Sequence, residues 1–167
     1  MWLLWIFVVV ILVFGFVVFR GAPYVPSKRK EVAQAFRELY ELGSSDVLVD
    51  IGSGDGIVLR EASKCGARAV GYELNPILVL ISRWMSRGDS NVSVHCADFW
   101  RVRLPIDTTV VYTFGESRDI AKMARKVAEE STRLNRSLIF ISYGFQVPNQ
   151  DPLRQVGAYH LYEYHPL

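Results

Sequence analysis

The sequence predicts an α/β fold with a mainly parallel, Rossmann-like sheet, preceded by one transmembrane helix. Three observations lead to this prediction. From residue 46 onward, apolar strand segments alternate with helical ones, as in parallel sheets covered on both faces. Residues 47–56, VLVDIGSGDG, form an apolar run that ends in an acid and continues into three glycines. Residues 1–19 contain no charged side chain. We therefore divide the chain into an anchor (1–19), a linker and N-terminal helix (20–45) and an α/β domain (46–167).

The first 19 residues predict an uncleaved membrane anchor. As a helix they would extend about 28 Å, close to the ~30 Å bilayer core. A cleaved signal peptide would begin with basic residues and have a shorter apolar stretch, and a buried core helix would have a polar face. Arg20, Lys28, Arg29 and Lys30 follow the span. The positive-inside rule then predicts a single-pass protein with its N-terminus outside and its catalytic domain in the cytoplasm.

The remaining elements follow from local signals. Ser27 precedes a helix predicted over 28–42, which Gly43 ends. Gly66 ends the next helix, and Pro76 and Gly88 bracket the third. In chain order the sequence predicts strands at 46–50, 67–73, 91–97, 108–114 and 137–143, helices at 56–65, 76–87 and 117–134, a loop over 146–157 and a final edge strand at 158–164.

The glycine-rich segment after the first strand indicates a ligand site. Glycine tolerates positive φ and lets a ligand approach the backbone, so Gly52, Ser53, Gly54 and Gly56 are candidate binding residues. A dinucleotide fingerprint, G-x-G-x-x-G, would need its third glycine at position 57, which is Ile. The other alternative is a glycine-rich turn that binds nothing.

Three acids favour S-adenosylmethionine as the ligand, and hence a methyltransferase. Asp50 suits a ligand with a cationic amino-acid part better than a diphosphate. Glu73 ends the second strand, where an acid can hold both ribose hydroxyls of a nucleoside. Asp98 follows the third strand. Each acid also has a structural alternative: Asp50 and Glu73 as helix caps, and Asp98 as a turn residue.

Five segments of the chain together match a known pattern: 23–27 (PYVPS), 50–56 (DIGSGDG), 71–76 (GYELNP), 82–83 (SR) and 97–101 (ADFWR). They resemble the small membrane-anchored lysine methyltransferases, typified by the mitochondrial enzymes that act on the adenine nucleotide translocase and the ATP synthase c-subunit. The resemblance covers roughly residues 1–105, and some motifs also resemble Dot1-type histone lysine methyltransferases.

The resemblance implies a class I methyltransferase of the seven-strand type. Because the sequence shows five strands and a last one, we expect the sheet to be abbreviated at its C-terminus. The resemblance places the three glycines against the methionine part of S-adenosylmethionine and Glu73 against its ribose. It places Asp98 and Phe99 against the adenine amino group and ring. The 23–26 element, with Tyr24, resembles a motif that closes the cofactor site.

Candidate catalytic residues are Tyr24, Thr113 and Phe114, the last two because ligands bind at the carboxyl ends of parallel strands. Methyl transfer needs alignment, and a lysine acceptor needs a neutral amine, which an apolar aromatic channel favours. Tyr143 and Phe145 are predicted to wall that channel. The fourth strand leads into TFGE (113–116), which differs from the [Asn/Asp/Ser]-Pro-Pro-[Tyr/Phe] element of DNA amino-methyltransferases.

These observations predict a membrane-anchored protein-lysine methyltransferase acting on a membrane or membrane-associated protein. The alternatives are a small-molecule methyltransferase for a lipid or quinone, and a non-catalytic S-adenosylmethionine-binding protein. A net charge of +2 gives no indication of nucleic-acid binding. The two cysteines lack a C-x-x-C spacing and the three histidines form no ligand pattern, so no metal is expected.

Overall fold

The computed structural model describes residues 1–8, 27–115 and 117–167. Residues 2–8 are helical. Most of the predicted anchor, residues 9–19, lies outside the described residues, as do Tyr24 and Glu116. In the described parts of the chain, no helix has both the length and the apolar character needed to cross a bilayer.

A single seven-stranded sheet forms the centre of the domain, in the order β3-β2-β1-β4-β5-β7-β6. The first five strands are parallel, and β7 is antiparallel to both β5 and β6. The strands are β1 (Val47–Ile51), β2 (Arg68–Glu73), β3 (Val92–Cys96), β4 (Val110–Phe114), β5 (Leu138–Tyr143), β6 (Arg154–Val156) and β7 (Tyr159–Tyr164).

Helices cover both faces of this sheet. The helices are α1 (Arg29–Glu38), α2 (Ile57–Lys64), α3 (Pro76–Met85) and α4 (Ile120–Leu134), with a short 3-10 helix at Phe99–Arg101. Phe36 of α1, Leu59 of α2 and Val79 of α3 belong to one buried cluster. Ile120 and Val127 of α4 belong to a second cluster on the opposite face. The alternation of strands and helices that the sequence predicted is therefore confirmed.

The predicted abbreviation of the sheet is wrong, because all seven strands are present. The strand that the sequence did not predict is β6, which lies inside the predicted loop over 146–157. It has only three residues, none of them buried, so it shows no apolar alternation. Gly157, with φ of 58°, turns the chain directly into β7. As a result β7 lies between β5 and β6 rather than at the edge, where the sequence had placed it.

The topology brings five strand ends to one edge of the sheet. The parallel strands β1 to β5 all end there, and β7 begins there because it runs antiparallel to β5. Tyr159 at the start of β7 is paired with Tyr143 at the end of β5. Asp50 in β1, Tyr143 in β5 and Tyr159 in β7 can therefore contribute to one site, although they are 16 to 109 positions apart in the sequence.

Candidate functional site

The glycine loop between β1 and α2 lies at the carboxyl edge of the sheet. The N–H groups of Gly52 and Ser53 both donate to the carbonyl of Tyr72, at 2.8 and 3.2 Å, which fixes the loop to β2. Gly52, Gly54 and Gly56 have φ of 73°, 53° and 79°, in the left-handed region that favours glycine. The alternate glycines are therefore required by the backbone path of the loop.

The loop has one open side and one packed side. A Cβ added at Gly52 would meet no atom within 4 Å, so space remains there for a ligand. A Cβ added at Gly56 would collide with the side chain of Ser82 on α3, whose own Cβ would be 3.2 Å away. Gly56 therefore allows helix packing, whereas Gly52 leaves the backbone accessible.

Glu73 joins the end of β2 to the glycine loop. Its Oε2 accepts from the N–H of Gly54 at 2.9 Å, and its Oε1 accepts from the N–H of Asn75 at 2.8 Å. The cap of α3 is Asn75, whose Oδ1 accepts from the N–H of Ile77 at 3.0 Å. Each carboxylate oxygen of Glu73 has a further lone pair, so two hydroxyl groups can still donate to it.

Asp50 is a buried acid among other acids. Its side chain is in β1 and only 2% of the residue is exposed. Burial raises the pKa of Asp50 well above its usual range, and the negative charges of Glu73 and Asp55 raise it further. Oδ1 of Asp55 accepts a hydrogen bond from the N–H of Ile57, the first residue of α2, at 3.1 Å. A cationic group placed beside Asp50 would relieve this electrostatic cost.

Asp98 and Phe99 follow β3 and start the short 3-10 helix. Oδ1 of Asp98 accepts from the N–H of Trp100 at 3.0 Å, so the carboxylate caps this turn. Phe99 is only 6% exposed, because its ring packs into the cluster that α4 covers. The ring is thus mostly buried, and the Asp98 carboxylate lies at the start of the turn. Contact of both residues with adenine stays a prediction.

Aromatic side chains gather where β4 and β5 end. The rings of Phe114 and Tyr143 are 4.8 Å apart, and those of Tyr143 and Tyr159 are 4.6 Å apart. Thr113 points the other way: it is fully buried, and its hydroxyl donates to the sulfur of Met123 at 3.5 Å. The structure therefore brings Phe114 to this surface and places Thr113 in the core. Phe145 is 40% exposed just beyond β5.

Two residues of this surface could not be found from local sequence patterns. Tyr159 joins it only because β7 pairs with β5 in the register that sets Tyr159 against Tyr143. Glu31 of α1 accepts a hydrogen bond from the hydroxyl of Tyr143 at 3.2 Å, across 112 positions of sequence. The available signal for Tyr159 was the aromatic-rich end of the chain, AYHLYEY (158–164).

Tyr112 connects this aromatic surface with Asp50. It is paired with Asp50 across β1 and β4, and its ring is 6.4 Å from that of Tyr159. Burial raises the pKa of Tyr112 well above its usual value. Ser27 and Tyr159 come close to its hydroxyl, but neither makes a well-formed hydrogen bond with it within the described residues. Ser27, the residue that follows the predicted 23–26 element in the sequence, therefore lies beside the site.

Comparison with known proteins identifies the family. A family model described as the ANTKMT methyltransferase domain matches residues 50–154, more than half of the chain. The chain belongs to this family. The predicted resemblance to this methyltransferase family is thereby confirmed.

The similar proteins include named lysine methyltransferases. The human ATP synthase c-subunit lysine N-methyltransferase is 36% identical over 138 residues, which are 81% of this chain and 57% of the human protein. The Xenopus laevis protein of the same name is 34% identical over 78% of this chain and 56% of its own length. The mouse adenine nucleotide translocase lysine N-methyltransferase is 40% identical over 49% of this chain and 37% of its own. This chain thus spans little more than half the length of the two ATP synthase c-subunit enzymes.

A solved structure shares the fold. An RNA methyltransferase from Salinibacter ruber, in complex with S-adenosyl-L-homocysteine, superimposes with a TM-score of 0.72 at 27% identity. The match covers 84% of this chain and 92% of that one. It confirms the class I fold of this ANTKMT-family domain.

The residues of the domain fit S-adenosylmethionine. The backbone beside Gly52 is open, Asp50 is a buried acid that a cationic ligand would stabilise, and Glu73 has lone pairs free for two ribose hydroxyls. The same three features were predicted from the sequence to bind this cofactor. In the described residues, no group of three or more His, Cys, Asp or Glu side chains is arranged to hold a metal ion.

Proposed function

We propose that this chain is a membrane-anchored S-adenosylmethionine-dependent methyltransferase that methylates a lysine side chain of a membrane or membrane-associated protein. The open glycine loop with the buried Asp50 at its base supports the cofactor. Two relatives, named as lysine N-methyltransferases of the ATP synthase c-subunit and of the adenine nucleotide translocase, support the substrate class.

The cofactor-binding residues have distinct roles in this proposal. S-adenosylmethionine supplies a methyl group bound to a positively charged sulfur. Asp50 balances the positive charge of the methionine part, which the loop of Gly52, Ser53, Gly54 and Gly56 surrounds. Glu73 orients the ribose, and Asp98 with the backbone of Phe99 borders the adenine. Holding these parts rigidly is the main contribution of the protein, because alignment accounts for much of the rate of a displacement reaction.

The acceptor is proposed to approach along the aromatic surface. Phe114, Tyr143 and Tyr159 border the edge of the sheet next to the cofactor site. A lysine amine has an ordinary pKa near 10.4 and must lose its proton before it can attack. Apolar rings lower that pKa by removing water from the ammonium form, so no dedicated base is required. Tyr24, outside the described residues, is proposed to close the site beside Ser27.

Membrane anchoring is proposed from the N-terminal sequence. In the described residues 1–8, Trp2, Leu4 and Trp5 are each at least 67% exposed, so nothing in the described protein covers them. The apolar run continues to residue 19 and is followed by basic residues, which favours a cytoplasmic domain. A reporter that is active only in the cytoplasm, fused after Leu167, should give signal. Signal from an exported reporter alone would contradict this topology.

The alternative substrates are a lipid or quinone, and an RNA. The Salinibacter ruber protein, with its RNA methyltransferase description, supports considering RNA. Against nucleic acid stand the net charge of +2 and the TFGE sequence at 113–116, which lacks the Pro-Pro element of enzymes that methylate base amino groups. A protein substrate is favoured because the named relatives with higher identity act on proteins.

Radiolabelled methyl transfer tests the proposal. The full chain is incubated with membranes and labelled S-adenosylmethionine, and protein, lipid and RNA fractions are counted separately. We expect label in protein, recovered as methyl-lysine. Gly54→Arg should abolish it, because a large side chain would enter the loop at a position with φ of 53°. Gly43→Arg is the control, since Gly43 has open space around it and lies outside the loop. Label confined to lipid or RNA would overturn the substrate class.

A further inference from the structure

A cavity of about 320 Å³ opens beside the aromatic surface. It lies between α1, the end of β5 and the turn that joins β6 to β7. Its walls are formed by Glu31, Gln34, Tyr143, Tyr159 and the turn residues 156–158. These residues come from three separate parts of the chain, so the cavity exists only in the folded domain.

Glu31 is the one charged side chain among the described residues that line this cavity. Its Oε2 accepts from the hydroxyl of Tyr143 at 3.2 Å, which holds the carboxylate against the ring. Its Oε1 is 3.0 Å from the ammonium of Lys28. The hydrogen bond from Lys28 lowers the pKa of Glu31, so the carboxylate is ionised at neutral pH. The cavity therefore presents a negative charge at its rim.

The ring of Tyr143 adds a second feature that favours cations. Tyr143 is half-buried beside the carboxylate, whereas Tyr159 is only 4% exposed and lines the cavity behind it, with the two ring centroids 4.6 Å apart. Aromatic faces attract ammonium and guanidinium groups through the ring quadrupole. A carboxylate next to the Tyr143 ring is thus suited to a cationic side chain whose aliphatic stem lies along that ring.

Lys28 currently provides the cation. Its side chain is 77% exposed, so this ion pair with Glu31 is of the weak surface kind. A substrate cation that also contacts the tyrosine rings can replace it. Lys28 is therefore an internal competitor at the rim of the cavity.

The cavity shares Tyr143 and Tyr159 with the aromatic surface along which the acceptor is proposed to approach, and its carboxylate, Glu31, is the feature that distinguishes it. The ring of Tyr159 is 6.4 Å from that of Tyr112, which is paired with Asp50 across adjacent strands. A carboxylate also stabilises the ammonium form of an amine, whereas the methylated lysine must become neutral. Glu31 is thus unsuited to the reacting amine and suited to a second cation that keeps its charge.

We infer that this cavity binds a basic side chain of the substrate, a lysine or arginine close to the methylated lysine, through Glu31, Tyr143 and Tyr159. The inference rests on the proposed function, because it assigns the cation to the same substrate. It makes Glu31 a specificity residue: substrates with a second basic residue near the target are preferred over those without one.

A direct binding experiment tests the cavity without methyl transfer. The probes are n-butylammonium and the neutral n-butanol, added to the full chain in detergent and followed by saturation-transfer NMR. We expect n-butylammonium to bind more tightly than n-butanol. Glu31→Gln should weaken the binding of n-butylammonium about 2- to 5-fold, the scale of a partly exposed ion pair. Lys28→Gln should strengthen that binding, because it removes the competing cation. Glu41→Gln, an equal charge change just beyond α1 and outside the cavity lining, should leave the binding unchanged.

A kinetic experiment then tests the role in substrate choice. Peptides with one target lysine are compared with peptides that carry a second lysine at each nearby position. The wild-type chain should favour some two-lysine peptides in kcat/KM, and Glu31→Gln should remove that preference. Equal binding of n-butylammonium by wild type and Glu31→Gln overturns the cavity site. Normal probe binding without any methylation would instead reject the proposed function and leave the cation site standing.

Discussion

The carboxylate of Glu73 accepts a hydrogen bond from the N–H of Gly54 at 2.9 Å, across 19 positions of sequence. This contact fastens the glycine loop to the end of β2. It places the proposed ribose-binding acid against the proposed methionine-binding loop. The proposed ribose-binding acid and the proposed methionine-binding loop are therefore coupled, so a change in either one affects the other.

Replacing Glu73 by Ala should weaken the binding of S-adenosylmethionine by about 1–3 kcal/mol, the scale of hydrogen bonds to a charged group. The variant loses both the ribose contacts and the bond that holds Gly54. Calorimetric titration measures the loss, and circular dichroism checks that the variant is folded. Glu129→Ala, on α4 and away from the glycine loop, is the matched control and should bind normally. Unchanged affinity in Glu73→Ala would contradict the assignment.

Asp50→Asn should stabilise the cofactor-free protein at neutral pH and should weaken the binding of S-adenosylmethionine. Burial raises the pKa of Asp50 in the folded state above its unfolded value near 3.9, so ionised Asp50 opposes folding. That cost is absent below about pH 4 and grows as the pH rises toward the folded pKa. Thermal unfolding should show a higher Tm for the variant at pH 7 and a smaller difference at pH 4. An equal difference at both pH values would disprove this explanation.

Gly71→Ala should destabilise the domain by about 1–3 kcal/mol through overpacking. A Cβ at this position in β2 would lie 2.5 Å from Oγ of Ser53 and 2.6 Å from Cδ1 of Leu59. The collision pushes on both the glycine loop and α2. Denaturant unfolding measures the change in free energy. Gly43→Ala is the control, because its Cβ would meet nothing within 4 Å and stability should be nearly unchanged.

Lys126→Met should lower the free energy of unfolding by about 1–3 kcal/mol, because three carbonyl groups lose a charged donor. Nζ of Lys126 donates to the carbonyls of Phe99, Trp100 and Val102 at 2.9, 3.2 and 2.8 Å, which fixes the segment after Asp98 onto α4. Urea unfolding measures the loss. Arg125→Met, at an exposed neighbouring position on α4, should change stability by no more than about 0.5 kcal/mol. A similar loss in both variants would mean that the three carbonyl contacts contribute little.

The sequence predicted most of the fold because most of its signals are local. Gly66 ends α2, Pro76 begins α3 and apolar runs mark β1 to β5, as the structure confirms. It missed β6 because three exposed or half-buried residues have no apolar pattern, and it therefore placed β7 at the edge. Strand β4 begins at Val110, two residues later than predicted, because the N–H of Thr108 bonds to the carbonyl of Pro105 in a turn.

By itself the sequence determined the glycine loop, the acids at the carboxyl ends of β1 to β3 and the family. These depend on the backbone conformation and on which residue ends each strand, and short segments of the sequence specify both. Only the tertiary structure decided how the side chains are used. It made Asn75 and Asp55 the capping groups, turned Thr113 into the core and buried the ring of Phe99. It also joined Glu31, Tyr143 and Tyr159 around one cavity. Those contacts arise from strand register and helix packing between distant segments, which no local pattern specifies.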